Sequence, residues 1–225
     1  MAKLVDKYRP RRLSQIIGQE KTTSRLEAML RRGALGGSAV WIEGPSGTGK
    51  TSIAQCLARA LGAGPDNAVR YSELDGDKCR AEIVRDLDAA ALEVNRAVRS
   101  FGHVEQAHVW VVNEAHAMTA RAVQAWLTLL DGRLPAAWTV VFTTTESRED
   151  LFGNFAGPFA SRVVAFRLTS QGLSERFARF ARAVAVREGL DGRDLTAYAR
   201  LVKDEKNNLR AVLQRIDSGA MMAAD

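Results

Sequence analysis

The chain has 225 residues, 46% of them hydrophobic and 26% charged, which is the balance of a folded globular protein and excludes a disordered chain. No apolar run approaches the roughly 20 residues that a membrane-spanning helix needs, and charged residues follow Met1 too closely for a secretory signal, so we expect a cytoplasmic protein without a membrane partner. The net charge of +6 is compatible with phosphate-rich partners and equally with an ordinary basic surface.

Strands and helices are predicted to alternate along the first part of the chain. Short apolar runs predict strands at residues 39–42, 69–74, 108–113 and 139–143. Apolar residues at helical spacing predict helices at residues 21–32, 51–61, 81–98 and 119–130. Because strands that are joined by helices run parallel, we expect an α/β fold in which helices cover both faces of a parallel sheet.

The pattern changes after Leu168. Helical periodicity continues at residues 174–188, 194–203 and 208–218, and no strand is predicted between these three segments. We therefore divide the chain into an α/β domain, residues 1–168, and a small helical domain, residues 169–225.

A glycine-rich loop lies between the first predicted strand and the helix that follows it. Residues 44–51 read Gly-Pro-Ser-Gly-Thr-Gly-Lys-Thr, the pattern of a P-loop. The glycines let backbone N–H groups converge on phosphates, Lys50 offers a charge to the β- and γ-oxygens, and the Thr51 hydroxyl reaches Mg²⁺. The predicted site for ATP and Mg²⁺ consists here of Gly44, Pro45, Ser46, Gly47, Thr48, Gly49, Lys50, Thr51 and Ser52.

A second acidic element follows the predicted strand at residues 108–113. Its first position, usually an Asp that holds Mg²⁺ through the water shell of the ion, is Asn113. The amide oxygen accepts a hydrogen bond from metal-bound water but carries no negative charge, so we expect nucleotide binding to persist with weaker Mg²⁺ affinity and slower turnover. Glu114 is placed to act as the general base that polarises the attacking water.

Two N-terminal segments resemble the adenine-binding region of AAA+ clamp loaders. They read Lys-Tyr-Arg-Pro at residues 7–10 and Ile-Ile-Gly-Gln-Glu at residues 16–20. Similar segments occur in the DNA polymerase III gamma/tau subunit, in replication factor C small subunits and in Holliday-junction branch-migration motors; the Tyr before Arg-Pro favours the clamp loaders. The resemblance implies an AAA+ core with a three-helix lid, and nucleotide contacts from Tyr8, Arg9, Pro10, Ile17 and Gly18.

Three further motifs follow in the order of that family. Phe-Thr-Thr-Thr-Glu at residues 142–146 resembles the strand end that carries sensor 1, which implies that Thr145 contacts the γ-phosphate or the attacking water. Ser-Arg-Val at residues 161–163 resembles the Ser-Arg-Cys element, which implies that Arg162 reaches as a finger into the ATP of a neighbouring subunit. Asn-Asn-Leu-Arg at residues 207–210 resembles the sensor 2 segment, which implies that Arg210 binds the γ-phosphate.

Two features of that family are missing from the sequence. With two cysteines, the chain has no four-cysteine zinc module of the kind that gamma/tau subunits carry, which brings it closer to the replication factor C type. The helical collar that joins clamp-loader subunits has no counterpart either. The collar could lie on another polypeptide or have been cut from this one, or identical or homologous subunits could assemble as a ring, spiral or filament through their ATPase faces.

The resemblance also implies DNA as a partner. Lys78, Arg80 and Arg85 lie in the segment with which clamp loaders follow a duplex backbone, and they offer charge to phosphates without base readout. The exposed face of a solvated helix explains the same residues equally well. A sliding clamp is the further partner that the resemblance implies.

Two functional hypotheses from different classes follow. In the first, the chain is an ATP-dependent DNA-remodelling switch of clamp-loader type, in which ATP binding assembles subunits on DNA and hydrolysis releases them. In the second, it is a weakly hydrolysing, nucleotide-dependent adaptor of a mobile element or phage, in which Asn113 reflects a relaxed need for turnover. ATP turnover that primed DNA stimulates would favour the first. Branch migration, a third interpretation, would require further DNA-binding domains.

Overall fold

The computed structural model of the chain describes residues 3–63, 70–101, 107–146 and 156–222. Within these ranges one sheet is formed by Ser38–Glu43 (β1), Arg70–Asp75 (β2), His108–Asn113 (β3), Trp138–Thr144 (β4) and Val163–Arg167 (β5). The order across the sheet is β2-β3-β4-β1-β5, and all neighbouring strands run parallel. The predicted α/β fold is confirmed; Val69, the first residue of the second predicted strand, lies outside the described residues.

The helices of the described ranges lie where periodicity predicts them, with two short additions. They are Leu4–Lys7 (α1), Glu20–Arg31 (α2), Lys50–Ala60 (α3), Ala81–Phe101 (α4), Ala120–Leu130 (α5), Ala156–Ala160 (α6), Ser174–Glu188 (α7), Leu195–Asp204 (α8) and Leu209–Asp217 (α9). Single 3-10 turns lie at Leu13–Gln15, Gly76–Lys78 and Ala115–Ala117. The short helices α1 and α6 were not predicted. None of these helices is long and apolar enough to cross a membrane.

The alternating side chains of β1 divide the core into two clusters, one on each face of the sheet. Trp41 is fully buried on the face that α4 and α5 cover, where its ring lies 5.8 Å from that of Phe142 between centroids. Val40 and Ile42 belong to the other cluster, together with Ile53 of α3. Because both faces of the strand are buried, its sequence is a continuous apolar run. The two layers of helices thereby hold the carboxyl end of β1 at a defined edge of the sheet.

The three C-terminal helices form a third apolar cluster and are joined there by α1 from the other end of the chain. Tyr198 of α8 is fully buried in this cluster, and Leu4 of α1 is 3% exposed. At the start of α9, the Asn208 side chain accepts a hydrogen bond from the Ala211 N–H at 3.2 Å, which caps the helix. The predicted lid of three helices is confirmed. The contribution of α1 was missed, because a helix of four residues carries no periodic signal.

Strand β5 was not predicted from the sequence either. It pairs with β1 at the edge of the sheet, from Ala39 opposite Val163 to Glu43 opposite Arg167. The strand has five residues, and the first three are only partly buried. Its sequence therefore lacks a clear alternation of apolar and polar side chains. The strand ends next to Leu168, where the domain boundary was placed. The division into residues 1–168 and 169–225 stays a prediction.

A histidine lies in an aromatic setting at the amino end of the sheet. The His108 ring stacks on that of Trp110 with centroids 4.0 Å apart, and its Nε2 lies 2.9 Å from the Ser72 hydroxyl. Burial, with the charge of Arg70 as a second cause, lowers the pKa of His108 to about 4. The folded chain therefore keeps this ring neutral at pH values where a free histidine is protonated.

We expect His108 to make the protein less stable as the pH falls from 6.5 to 4. In this window the unfolded chain, with a His108 pKa near 6.5, binds a proton that the folded chain does not. Allowing for the partial exposure of the ring, the free energy of unfolding should fall by roughly 2 kcal/mol from this cause. Urea unfolding at the two ends of the window measures the loss. His108→Phe keeps an aromatic ring that cannot titrate and should lose correspondingly less; equal losses in the two proteins would contradict the prediction.

Candidate nucleotide-binding site

A cavity of about 820 Å³ opens at the carboxyl edge of the sheet, between the P-loop, the N-terminal segment and the C-terminal helices. Its volume is typical of small-molecule sites. Many of the predicted site residues line it, namely Tyr8, Arg9, Pro10, Ile17, Ser46, Gly47, Thr48, Gly49, Lys50, Thr51, Ser52, Glu114 and Arg210. The structure therefore brings segments from both ends and the middle of the chain together around one space.

Glycines shape the P-loop through backbone conformations that other residues avoid. Gly47 has a φ of +75° and Gly49 a φ of +95°, both in the left-handed region. Helix α3 begins directly after Gly49, so its first N–H groups lack intrahelical partners and face the loop. Such a helix end attracts anions through these donors and through the helix dipole. The backbone alone therefore provides a place for phosphate groups.

The side chain of Lys50 is folded back into the P-loop. Its Nζ donates to the Gly44 carbonyl at 2.7 Å and to the Pro45 carbonyl at 3.0 Å, and the residue is 6% exposed. Burial lowers the pKa of Lys50; the charge of Glu114 opposes this shift, and that of Arg210 adds to it. A charged phosphate oxygen is a stronger acceptor for an ammonium group than either carbonyl. Lys50 is thus placed to exchange these contacts for a phosphate.

Oxygen atoms of three residues meet beside the loop, at the carboxyl ends of β3 and β4. The Asn113 Oδ1 accepts hydrogen bonds from the Thr51 hydroxyl at 3.3 Å and from the Thr143 hydroxyl at 2.9 Å. Hydroxyl and amide oxygens are ligands that suit Mg²⁺ or its bound waters. The donor set therefore fits a magnesium ion. Asn113 is not among the residues that line the cavity, and the metal roles of Thr51 and Asn113 stay a prediction. Across the described ranges, no cluster of three or more His, Cys, Asp or Glu side chains offers a different kind of metal site.

Glu114 follows β3 in the left-handed region, a backbone conformation that costs a non-glycine residue about 1–2 kcal/mol. Its φ is +50°, and its side chain, 51% exposed, lines the cavity. The His116 Nδ1 lies 3.5 Å from the Glu114 Oε2. A Cβ on Gly76 would come within 2.2 Å of the Glu114 carbonyl oxygen, so the turn after β2 can pass here only as glycine. Neither His116 nor Gly76 was predicted as part of the site.

The C-terminal helices bring Arg210 to the same cavity. Asn207, before α9, has a φ of +58°, and Asn208 caps the helix, which places Arg210 in its first turn. A Cβ on Gly47 would come within 2.0 Å of the Asn208 Oδ1, so this turn packs directly on the P-loop. The charge of Arg210 is close enough to lower the pKa of Lys50. Two cations from distant parts of the chain therefore face one space.

The N-terminal segment is tied to the end of α7. The Tyr8 hydroxyl donates to the Glu188 Oε1 at 2.5 Å, and the Lys7 Nζ donates to the Glu188 Oε2 at 2.6 Å. Glu188 lines the cavity, as do Phe177 and Leu213 of the lid. None of these three residues was predicted as part of the site. In the sequence they are members of periodic helices, and only packing against the N-terminal segment brings them to the site.

Other predicted residues lie outside the lining of the cavity. Gly18, Gly44 and Pro45 belong to its segments but are not among the residues that line it. Thr145 is exposed directly after β4, whose last residue, Thr144, contacts the His116 ring instead, with Oγ1 and Nδ1 3.3 Å apart. The sensor 1 role of Thr145 stays a prediction.

Arg162 lies at the amino end of β5, whereas the cavity lies at the carboxyl ends of the strands. It precedes β5, and because the strands are parallel, the length of that strand, roughly 15 Å, separates it from the carboxyl edge. Its Nη2 donates to the Asp131 Oδ1 at 2.9 Å and its Nη1 to the Pro158 carbonyl at 2.8 Å. Its Nε is buried and has no hydrogen-bond partner within the described ranges. The role of Arg162 as a finger for a neighbouring subunit stays a prediction.

The basic residues that were predicted to follow DNA lie next to the turn after β2. The Lys78 side chain is 69% exposed, and its Nζ lies 2.8 Å from the Asp75 Oδ2. This hydrogen bond raises the pKa of Lys78. Arg80 and Arg85 are exposed just before and within α4. All three side chains are open to solvent, and their contact with DNA stays a prediction.

The sequence of the chain is similar to those of known proteins. A family model described as AAA ATPase domain matches residues 15–218. The chain is 38% identical over 122 residues to the probable replication factor C subunit 2 of Dictyostelium discoideum. The aligned segment covers 54% of this chain and 34% of that protein. It is 30% identical over 200 residues to the replication factor C small subunit of Haloarcula marismortui, covering 87% and 57%. It is 31% identical over 162 residues to the DNA polymerase III subunit gamma/tau of Mycobacterium tuberculosis, covering 66% and 28%.

These matches confirm the predicted resemblance to AAA+ clamp loaders. The chain spans 28% to 57% of the lengths of these three relatives. Among solved structures, a variant of Thermotoga maritima RuvB superposes with a TM-score of 0.69 at 18% identity, covering 93% of this chain and 64% of that one. At this identity the likeness shows the fold alone.

Proposed function

Since this chain belongs to the AAA ATPase domain family, we propose that it is an ATP-dependent DNA-remodelling switch of clamp-loader type. ATP binding assembles the subunits on DNA, and hydrolysis releases them. The observation that carries the proposal is the meeting of Lys50, Glu114 and Arg210 around one cavity. These residues come from distant segments, and two cations facing a carboxylate are the charges that binding and hydrolysing a triphosphate require.

Each side chain of the site has a separate task in the proposed reaction. Lys50 and Arg210 hold the γ-phosphate, and the free N–H groups at the start of α3 hold the phosphates behind it. Thr51 and Asn113 hold Mg²⁺, which when bound neutralises negative charge on the phosphate oxygens. Glu114 accepts a proton from the attacking water, and Thr145 orients that water or the γ-phosphate.

A second subunit completes the proposed site. Arg162 lies at the edge of the sheet away from its own P-loop, which suits an arginine that serves the ATP of a neighbour. The subunits, identical or homologous, then form a ring, spiral or filament. DNA backbone, contacted through Lys78, Arg80 and Arg85, and a sliding clamp are the proposed partners, and the resemblance of the sequence motifs to those of clamp loaders supports both. A cytoplasmic location belongs to the same proposal.

Replacing Lys50 by Ala should weaken ATP binding about 10- to 100-fold, because a charge-assisted hydrogen bond to phosphate is lost. Titration with a fluorescent ATP analogue measures the affinity. Lys21→Ala removes an exposed lysine of α2 and should bind like the unchanged protein. If Lys50→Ala bound the analogue normally, the cavity at the P-loop would not be the nucleotide site.

Steady-state ATP turnover with and without primed DNA tests the switch itself. Stimulation by DNA supports the clamp-loader type of function. Nucleotide binding with negligible turnover, with or without DNA, would favour the second candidate, a weakly hydrolysing adaptor. Asn113 favours that alternative, because its amide brings no negative charge to the magnesium site.

A further inference from the structure

The side chain of Asn113 is held by hydrogen bonds at both ends of its amide group. Its Oδ1 accepts from the hydroxyls of Thr51 and Thr143. Its Nδ2 donates to the Glu73 Oε1. An ionised carboxylate accepts hydrogen bonds and does not donate them, so only one orientation of the amide satisfies all three partners. The carbonyl of Asn113 therefore faces Thr51, and its NH₂ group faces β2.

Glu73 reaches Asn113 from the neighbouring strand. In the parallel pair of β2 and β3, Glu73 lies opposite Val111 and Asp75 lies opposite Asn113, so Glu73 and Asn113 are diagonal neighbours. The other carboxylate oxygen of Glu73 accepts a hydrogen bond from the Tyr71 hydroxyl at 2.6 Å. Both oxygens of Glu73 are thus engaged, and the carboxylate is held against the amide.

We propose that Glu73 is a positioning residue of the magnesium site: it orients the Asn113 amide with its carbonyl toward Thr51 and supplies from β2 the negative charge that Asn113 lacks. This inference rests on the proposed function. An Asp at position 113 would place a second carboxylate within hydrogen-bond distance of Glu73, and the two like charges would repel each other. Glu73 and Asn113 are therefore a matched pair. The Asp that is usual at position 113 is replaced by Asn113, whose amide is hydrogen-bonded to the carboxylate of Glu73.

The pairing is tested first without nucleotide or metal. Four proteins are compared by thermal unfolding: the unchanged chain, Asn113→Asp, Glu73→Gln and the double variant. Asn113→Asp alone should lower the Tm by about 1 to 3 °C because of the facing carboxylates, whose repulsion is partly screened since Glu73 is exposed. In the Asn113→Asp background, Glu73→Gln should raise the Tm back toward that of the unchanged chain. In the unchanged chain, Glu73→Gln should not raise the Tm. Shifts that simply add would overturn the proposal, since residues in contact are expected to be coupled.

The charge is tested through the effect of Mg²⁺ on binding of a fluorescent ATP analogue. The glutamine of Glu73→Gln can still accept from Asn113, so this variant removes the charge and keeps the hydrogen bond. Affinity without Mg²⁺ should stay within about twofold of the unchanged protein, and the gain in affinity on adding Mg²⁺ should shrink roughly three- to tenfold. An unchanged response to Mg²⁺ would overturn the proposal.

Asp75→Asn is the matched control: Asp75 lies opposite Asn113 in the strand register, but its carboxylate contacts the Lys78 ammonium group, whereas the Asn113 NH₂ group donates to Glu73. It should leave the response to Mg²⁺ within about twofold of normal. If it reduced the response as strongly as Glu73→Gln, the charge of the strand and not the contact would be responsible, and the proposal would be wrong. A chain that bound no nucleotide at all would refute the proposed function, whereas the unfolding measurements would still decide whether the pair is coupled.

Discussion

Replacing Glu114 by Gln is expected to lower ATP turnover at least about 100-fold while leaving ATP bound as tightly as before. The amide of glutamine has the same shape but cannot take a proton from the attacking water. The side chain is 51% exposed at the mouth of the cavity, so the exchange leaves the core intact. Removing a negative charge next to a triphosphate should, if it changes affinity at all, increase it.

Two measurements separate these effects. Phosphate release gives the turnover, and titration with a fluorescent ATP analogue gives the affinity. Glu82→Gln, at an exposed position of α4, controls for the loss of one carboxylate and should leave both values unchanged. Undiminished turnover in Glu114→Gln would contradict the role of general base. A parallel loss of affinity and turnover would point to a structural role instead.

Replacing Gly76 by Ala is expected to damage the site although Gly76 itself does not line the cavity. The new Cβ would come within 2.2 Å of the Glu114 carbonyl oxygen and 3.3 Å of the Asn113 carbonyl oxygen. Since Glu114 already has a φ of +50°, its turn has little freedom to move aside. We expect a loss of roughly 2 kcal/mol in the free energy of unfolding. Displacement of the carboxylate should cost about 10- to 100-fold in turnover.

Gly157→Ala is the matched control for this substitution. A Cβ at Gly157 of α6 would meet no atom within 4 Å beyond its chain neighbours and its own helix backbone, and the position is exposed. This variant should match the unchanged protein in turnover, whereas its Tm also reflects the contact of the new Cβ with the ring of Pro158, the next residue. If Gly76→Ala behaved like Gly157→Ala, the close approach of the two turns would not be what positions Glu114.

Those parts of the fold that depend on local pattern could be predicted from the sequence. Strand β1 is buried on both faces, so its apolar run is unambiguous, and the glycine-rich loop after it predicts where the phosphates bind. The helices of the lid have regular apolar faces and were found with nearly the predicted bounds. Short or partly exposed elements such as β5 and α1 were missed, because few of their residues are sorted by burial.

The site was only partly predictable for the same reason. Motifs marked Lys50, Glu114 and Arg210 in the chain, and all three line the cavity. Glu73 belongs to no sequence motif, and its importance depends on its hydrogen bond to Asn113. Lys78 was considered for its charge alone, whereas the fold pairs it with Asp75.

By itself, the sequence determined that this chain has a parallel α/β core with a P-loop, an acidic strand end and a helical lid, since periodicity and motifs are properties of neighbouring residues. The tertiary structure decided which distant side chains meet. The register of β2 on β3 places Glu73 against Asn113, and the close approach of two turns places Gly76 beneath Glu114. Such contacts follow from strand pairing and packing between residues about 40 positions apart, and no local pattern encodes them.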